Sequence, residues 1–372
     1  MALDLRGRLI PTFPSKLSTH DYLVNFYHPN PQGLRSIQRN ITSQDVIDAA
    51  QHLERLGFDS VLIAQNGHSP DIFALAAWAL AATKTIRTAI SLRVGLTAPT
   101  IAANALATLD RLSEGRTLVH IIQGNSDEGQ RADGDFLPKP ERYLRAHEYL
   151  DIFKRILETE EAFDYSGRYY SVEGAYKVTR SVQSPRPPIA AAGASPEGLD
   201  FVSRYADVYA VTTEPLAETR ALLDQVKAAA LEQGRKNIAF WRDSNFILAA
   251  TDEEAQQRAE RIAADIRTTT GGVAVQTQSV GQARALSAVD RAEWHDRALY
   301  TGINRAGGRG GIPFVGSPKT AADAVLDYYD LGIETFSIGV PLVSEEDDRL
   351  ATELLEHIRN GVKDRASKHH AA

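Results

Sequence analysis

What most constrains this chain is the order in which its apolar patterns recur. Short, partly β-branched runs alternate with stretches of helical period from one end to the other. Residues 4–13 (DLRGRLIPTF) read as a first strand, followed by a long loop rich in Pro, Asn and His to about residue 42. Thr42 or Ser43 offers a hydroxyl to an orphan N–H and starts a helix, which puts Val46, Ile47, Ala50, Leu53 and Leu56 on one face. A strand over 57–64 comes next. The pattern then predicts helix 71–84 and strand 88–94, helix 99–113 and strand 117–122, and helix 139–158 followed by a hairpin with Ser-Gly at its turn. Strand 187–193, helix 196–205, strand 207–211, helix 216–232 and strand 237–250 follow. Helix 318–330, strand 333–340 and a closing helix near 345–361 end the series. Strands separated by helices run parallel, with right-handed crossovers. Eight such units close into an α/β fold, the (β/α)8 TIM barrel, with its site at the carboxyl ends of the strands. An open doubly wound sheet shares the same local pattern.

The length of 372 residues suits one barrel domain over 1–372 with insertions. Two segments exceed simple connections: about 159–186, holding the hairpin, and about 266–316, ending in RAGGRGGIPFVG and expected to form a mobile lid. Lys and Arg number 41 against 48 Asp and Glu, a net charge of −7, which counts against a protein that reads nucleic-acid phosphates. With no cysteine, disulfides, thiolate metal sites, iron–sulfur clusters and cysteine nucleophiles are excluded. The start MALDLRGRLIPTF has no apolar core of signal-peptide length, and no run reaches the roughly 18 apolar residues of a membrane span. The expectation is a cytoplasmic protein with neither membrane nor nucleic-acid partners.

The ten histidines are scattered, with no HxxxH or HExxH spacing, so no metal site is expected. No GxxxxGK[ST] or GxSxG occurs, and the glycines of 307–311 do not sit between a strand and a helix. The chemistry is therefore left to a bound cofactor, with polar groups at the strand ends. His120, inside TLVHII, reads as a satisfied core residue or as a functional one. Ser195, between a strand and a helix, reads as a plain cap or as part of a phosphate-binding helix start. Arg242, with Asp243, Ser244 and Asn245, is either a polar cluster at the mouth or an edge ion pair. Arg305 and Arg309 either close over an anion or stay solvated. Tyr165, Tyr169 and Tyr170 read as hairpin packing.

Residues 96–150 carry ATLDRLSEGR, a strand end with GN-x-DE, then ADGD and ERY-x-R-x-x-EYL. Further on lie PPIAAAGASPEG (187–198), ADVYAV (206–211), FVGSP (314–318) and LGIETFSIGVP (331–341), with GFDSVLIA (57–64) before them. In these motifs and their order the chain resembles the bacterial luciferase-like flavin monooxygenases, the alkanesulfonate monooxygenase branch above others. The resemblance implies a TIM barrel that takes reduced FMN (FMNH2) from a separate NAD(P)H:FMN reductase. It implies oxygenation of a small organosulfur compound with O2, with C–S cleavage of a sulfonate to aldehyde and sulfite as the family reaction. By position it implies that Ala64 and Gln65 line the flavin ring. Ser69 stands where relatives keep a cysteine near the flavin. His120, Glu128, Arg142 and Tyr143 match flavin-contacting positions, and Ala194 and Ser195 match the phosphate site. Arg242 matches an arginine near the substrate anion, and Arg305 or Arg309 the arginine of the mobile loop. Relatives carry Arg-x-His on the seventh strand, where this chain reads Arg242-Asp243-Ser244-Asn245, with no histidine. Val340 replaces a tyrosine after the eighth, and Thr212-Thr213 stand near a tryptophan position. The changes fall on the substrate side, so a sulfone or another small heteroatom compound is as compatible as a sulfonate. A deazaflavin-dependent oxidoreductase and a non-catalytic flavin-binding barrel are the alternatives. Family habit implies a homodimer or homotetramer.

Overall fold

The computed structural model describes residues 3–10, 17–29, 40–65, 69–124, 127–273 and 277–371. Its eight barrel strands are β1 (Asp4–Arg8), β2 (Ser60–Ile63), β3 (Arg87–Arg93), β4 (Thr117–Ile122), β5 (Ile189–Ala191), β6 (Val208–Val211), β7 (Ala239–Leu248) and β8 (Thr335–Gly339). With the helices between them they are the elements of a (β/α)8 TIM barrel. Local chemistry starts these helices. Thr42, Asp71, Ser195, Thr251 and Ser317 each accept a backbone N–H three residues on, and Thr42 with Asp45 completes a reciprocal capping box. Contacts divide the chain into two units, one of residues 60–210 and 225–238, the other of 1–59, 211–224 and 239–372.

In the first unit β2 to β6 run parallel in chain order. Val61, Ile63, Ile90, Val119 and Ile121 share one face and are at most 1% exposed. On the other face Leu62, Leu118, His120 and Ile122 remain half-buried. The period of two thus assigns His120 to the less enclosed face. The motif ATLDRLSEGR is structural. Asp110, fully buried at the end of helix Pro99–Leu112, accepts from Thr117 Oγ1 (2.8 Å), from the N–H groups of Val182 (2.7 Å) and Gln183 (3.0 Å), and from Gln183 Nε2 (2.7 Å). Arg111 donates to Arg180 O, and Arg116 to Leu80 O and Ile86 O. Gly115, at φ +87°, makes the turn between helix and β4 that a side chain would strain.

In the second unit β7, β8 and β1 lie side by side and parallel. Asp4, Arg6, Arg8, Trp241, Asp243, Asn245, Ser337 and Gly339 share one face; Leu5, Arg242, Ser244, Phe246, Phe336 and Ile338 share the other. Strand Phe314–Gly316 adds parallel to the end of β7. Helix Asp252–Thr270 packs Ala255, Ala259, Ile262 and Ile266 with Tyr22, Leu23 and Tyr27 of helix Thr19–Tyr27.

Several expectations are corrected here. β1 ends at Arg8, and residues 11–13 of the expected strand lie outside the described residues. The expected loop to residue 42 contains helix Thr19–Tyr27. The hairpin strands are Phe163–Ser166 and Ser171–Ala175, so Gly167 to Tyr170 make the connection rather than Ser-Gly alone. The 266–316 segment carries helix Val280–Ser287 and the short strands Trp294–His295, Leu299–Tyr300 and Phe314–Gly316. The last helix runs on to Ala371. Among the described residues no helix is long and apolar enough to cross a membrane.

Replacing Asp110 by Ala would leave four donors on two segments, Thr117 and residues 182–183, unmet. A loss of about 3 kcal/mol in urea unfolding is expected; a loss below about 1 kcal/mol would show that the motif is not the knot described.

Candidate functional site

The carboxyl end of β4 leads to Gln123 and to residues 127–137, which three arginines hold in place. Arg142, 1% exposed, donates from Nε to Gln123 O (3.1 Å) and from Nη1 to the Asp127 carboxylate (2.7 Å) and Leu137 O (2.8 Å). Arg145 grips the Asp135 carboxylate at 2.6 and 3.0 Å and reaches Val94 O at 3.1 Å. Arg93 donates to Gln130 Oε1 at 3.0 Å and pairs with Asp133. Gln130 Nε2 closes the ring onto Asp135 (3.1 Å). Burial works to raise the Asp135 carboxyl. The bond from Arg145, the Leu137 N–H and the nearby guanidinium charges outweigh it and hold the group below the usual carboxylate range.

Around this network stand the residues expected at the ring of a cofactor. Gln65 Oε1 accepts the Arg93 N–H at 2.8 Å. Ala64 is exposed, Ser69 is half-buried before helix Ile72–Ala82, and Glu128 is exposed on the short helix Asp127–Ala132. Asn125 and Ser126, within the GN-x-DE motif, lie outside the described residues. Arg142 is committed to the loop, so its role there is to position other groups. Sequence reasoning missed Gln123. It is 9% exposed, directly follows β4, and neither end of its amide has a hydrogen-bond partner. A polar residue next to His120's strand was the available signal.

The turn from β5 into helix Pro196–Tyr205 forms a second feature of the same unit. Ser195 caps the helix, accepting the Gly198 N–H at 3.2 Å. A Cβ on Gly193 would lie 2.7 Å from Gly198 Cα, and one on Gly198 would lie 3.2 Å from Tyr143 Oη. The strand end and the helix start therefore touch backbone to backbone, as only glycines allow. Tyr143, 7% exposed, shares a hydrogen bond with Ser195; burial raises its phenol above the usual range despite that bond. Ala194 is half-buried in the same turn. The turn thus gathers helix N–H groups and two hydroxyls, a set suited to an anion.

In the other unit the candidate residues separate. Arg242 is fully buried on the face of β7 opposite Asn245. Its guanidinium stacks 4.0 Å from the ring centre of Tyr328 and 4.7 Å from that of Phe314, and donates to Ser244 Oγ (2.8 Å) and Glu214 O (3.3 Å). Burial pushes its pKa down. Asn245, 2% exposed, donates to Gly311 O at 3.4 Å, while its Oδ1 has no partner. A Cβ on Gly339 would fall 2.4 Å from the Arg8 guanidinium and 2.7 Å from Asn245 Oδ1, so both side chains converge over that glycine. Arg8 pairs with Asp243 at 2.8 Å; burial alone would lower its pKa, but Asp243 raises it. Beside them lies a shallow pocket open to solvent, lined by Arg8, Ile10, Tyr22, Phe26, Gly339 and Val343. Burial pushes the Tyr22 phenol up to about 12. Arg309 is docked on helix Thr19–Tyr27, its N–H on Tyr27 O (2.7 Å) and its Nε on Phe26 O (3.4 Å). Arg305, exposed, donates to Val289 O at 2.8 Å. Arg8 was missed although DLRGR shows it in phase with Asp4 and Arg6.

A family model described as luciferase-like monooxygenase matches residues 24–335. Similar solved structures include the EDTA monooxygenase of Chelativorans sp. BNC1, at 15% identity and TM-score 0.73, covering 97% of this chain and 94% of that one. A riboflavin lyase with modified FMN and riboflavin matches at 17% identity and TM-score 0.69, covering 98% and 92%. An F420-dependent secondary alcohol dehydrogenase with an F420–acetone adduct matches at 16% identity and TM-score 0.65, covering 86% and 95%. At these identities the likeness is one of fold.

Replacing Arg145 by Met should speed amide exchange in residues 127–137 and cost about 3 kcal/mol above roughly pH 4. A carboxyl with a lowered folded-state pKa contributes stability only while ionised. The gap from the parent protein should therefore close as the pH falls through the range where Asp135 protonates. A gap that persists unchanged to about pH 2 would contradict the assigned pairing.

Proposed function

We propose that this chain, which belongs to the luciferase-like monooxygenase family, is the oxygenating component of a two-component system acting on a small organosulfur compound. Its partner in this reading is an NAD(P)H:FMN reductase. The observation that carries the flavin assignment is the cradle at the start of helix Pro196–Tyr205, where Gly193 and Gly198 leave no room for a Cβ. The N–H groups around Ala194 and Ser195, with the hydroxyls of Ser195 and Tyr143, would hold the FMN phosphate there. Ala64, Gln65, Ser69 and His120, at or near the ends of β2 and β4, would line the ring, with Glu128 near its polar edge. When bound, reduced FMN supplies the two electrons that let one atom of O2 enter the substrate while the other leaves as water.

The protein's own residues then bind, orient and exclude water. This reading gives an anionic sulfonate head to Arg8, which Asp243 holds charged and oriented, and leaves Arg242 a structural role. Asn245 Oδ1, buried without a partner, offers an acceptor to a substrate or water hydroxyl. The apolar pocket walls, Ile10, Phe26 and Val343 among them, suit an alkyl body. C–S cleavage to aldehyde and sulfite is the finer form of this proposal. A second reading, hydride transfer with a reduced deazaflavin, is favoured by the F420-dependent enzyme that shares the fold.

The test is sulfite release from a panel of alkanesulfonates with reductase, NAD(P)H, FMN and air. Sulfite should appear only when reductase and oxygen are both present, and FMNH2 should bind more tightly than FMN. Absence of flavin binding in both redox states would sink the proposal, and anaerobic turnover with reduced deazaflavin would favour the second reading. Replacing Ser195 by Ala should lower the preference for FMN over riboflavin about ten-fold while riboflavin affinity stays near that of the parent.

A further inference from the structure

We infer that Gln123 reads the polar edge of the bound flavin ring through its side-chain amide, and so positions the ring. The inference rests on the proposed flavin function and deepens it. Gln123 follows β4 directly, at the carboxyl end of the strand, where barrels of this kind carry their sites. Its backbone is fixed. Arg142 Nε binds its carbonyl at 3.1 Å, and Gly124 turns the chain at φ +78°, where a Cβ would meet the Gln130 amide at 2.4 Å.

Around it Gln65, Gln130, Arg93, Arg142 and Arg145 all take part in hydrogen bonds. Gln123 differs, because its Oε1 and Nε2 are both buried and both without a partner. A neutral amide cannot escape this cost by changing its protonation state, and a leucine in the same space would avoid it. The amide presents one donor and one acceptor side by side. Its complement is a planar, neutral edge of alternating carbonyl and N–H groups, such as the pyrimidine edge of a flavin. A phosphate or sulfonate would call for a cation instead.

The test compares the parent protein with Gln123→Leu and the near-isosteric Gln123→Met, by apoprotein thermal midpoint and by Kd for FMN and for riboflavin from fluorescence quenching. The expected result is an apoprotein midpoint equal to or above that of the parent in at least one variant. With it comes a rise in Kd of about ten-fold that is the same for FMN and riboflavin, because both share the ring. Kd values within about two-fold of the parent's would overturn the inference while leaving the flavin function standing. So would a rise confined to FMN, which would implicate the phosphate end. If the parent protein binds neither flavin, the functional proposal itself fails, and this inference with it.

Discussion

The carboxyl end of β4 depends on burying three guanidinium groups against the residues that follow it. Arg93, Arg142 and Arg145 each sit at or below 9% exposure and between them bind Asp127, Asp133, Asp135, Gln130 and three backbone carbonyls of residues 94–137. Ion pairs buried this deeply add little net stability, since desolvation offsets the attraction. They specify geometry, because any other path for the loop would strand a charge out of water. Residues 127–137 and the backbone of Gln123 are thereby fixed at the end of β4. The amides of Gln65 and Gln130 are drawn into the same network, which explains why so polar a segment lies so close to a strand end.

In the other unit the same principle acts through strand parity. Asp4, Arg6, Arg8, Trp241, Asp243, Asn245 and Ser337 place an unusual number of polar groups on one face of three strands. They are tied pairwise: Arg6 to Asp4, Arg8 to Asp243, and the Trp241 indole N–H to Ser337. The opposite face is apolar except for Arg242 and Ser244, which hydrogen-bond to each other, and the Arg242 charge is further accommodated by two aromatic rings. Arg242 and Asn245 are three residues apart, an odd number, so one strand cannot present both to the same ligand.

Much of the architecture was legible in the residues. Helices 139–158, 196–205 and 216–232 and strand 117–122 fall at the expected boundaries because a Pro or a capping Ser marks a start, or an uninterrupted apolar period marks the span. Helix Thr19–Tyr27 escaped notice among the prolines and asparagines that flank it. Helix Asp252–Thr270 escaped although Thr251 and three acidic residues announce its first turn. The site was less legible for a physical reason. In the run Arg242-Asp243-Ser244-Asn245 every position is polar, so alternation carries no phase, and only pairing with Ser337 and Gly339 reveals which face is which. Arg309 could be named from its glycine-rich setting, but not its docking on the carbonyls of Phe26 and Tyr27, which lie far away in sequence. Gln123 offered only its place directly after a strand; its significance is an unmet hydrogen-bonding demand that exists only in three dimensions.

The most direct test is a crystal structure of the protein soaked with FMN. The phosphate should lie on the N–H groups at the start of helix Pro196–Tyr205, within hydrogen-bond reach of Ser195 and Tyr143, with the ring against the end of β4 at His120. Flavin bound with its phosphate elsewhere, or with its ring away from β4, would contradict the assignment of this face as the cofactor site.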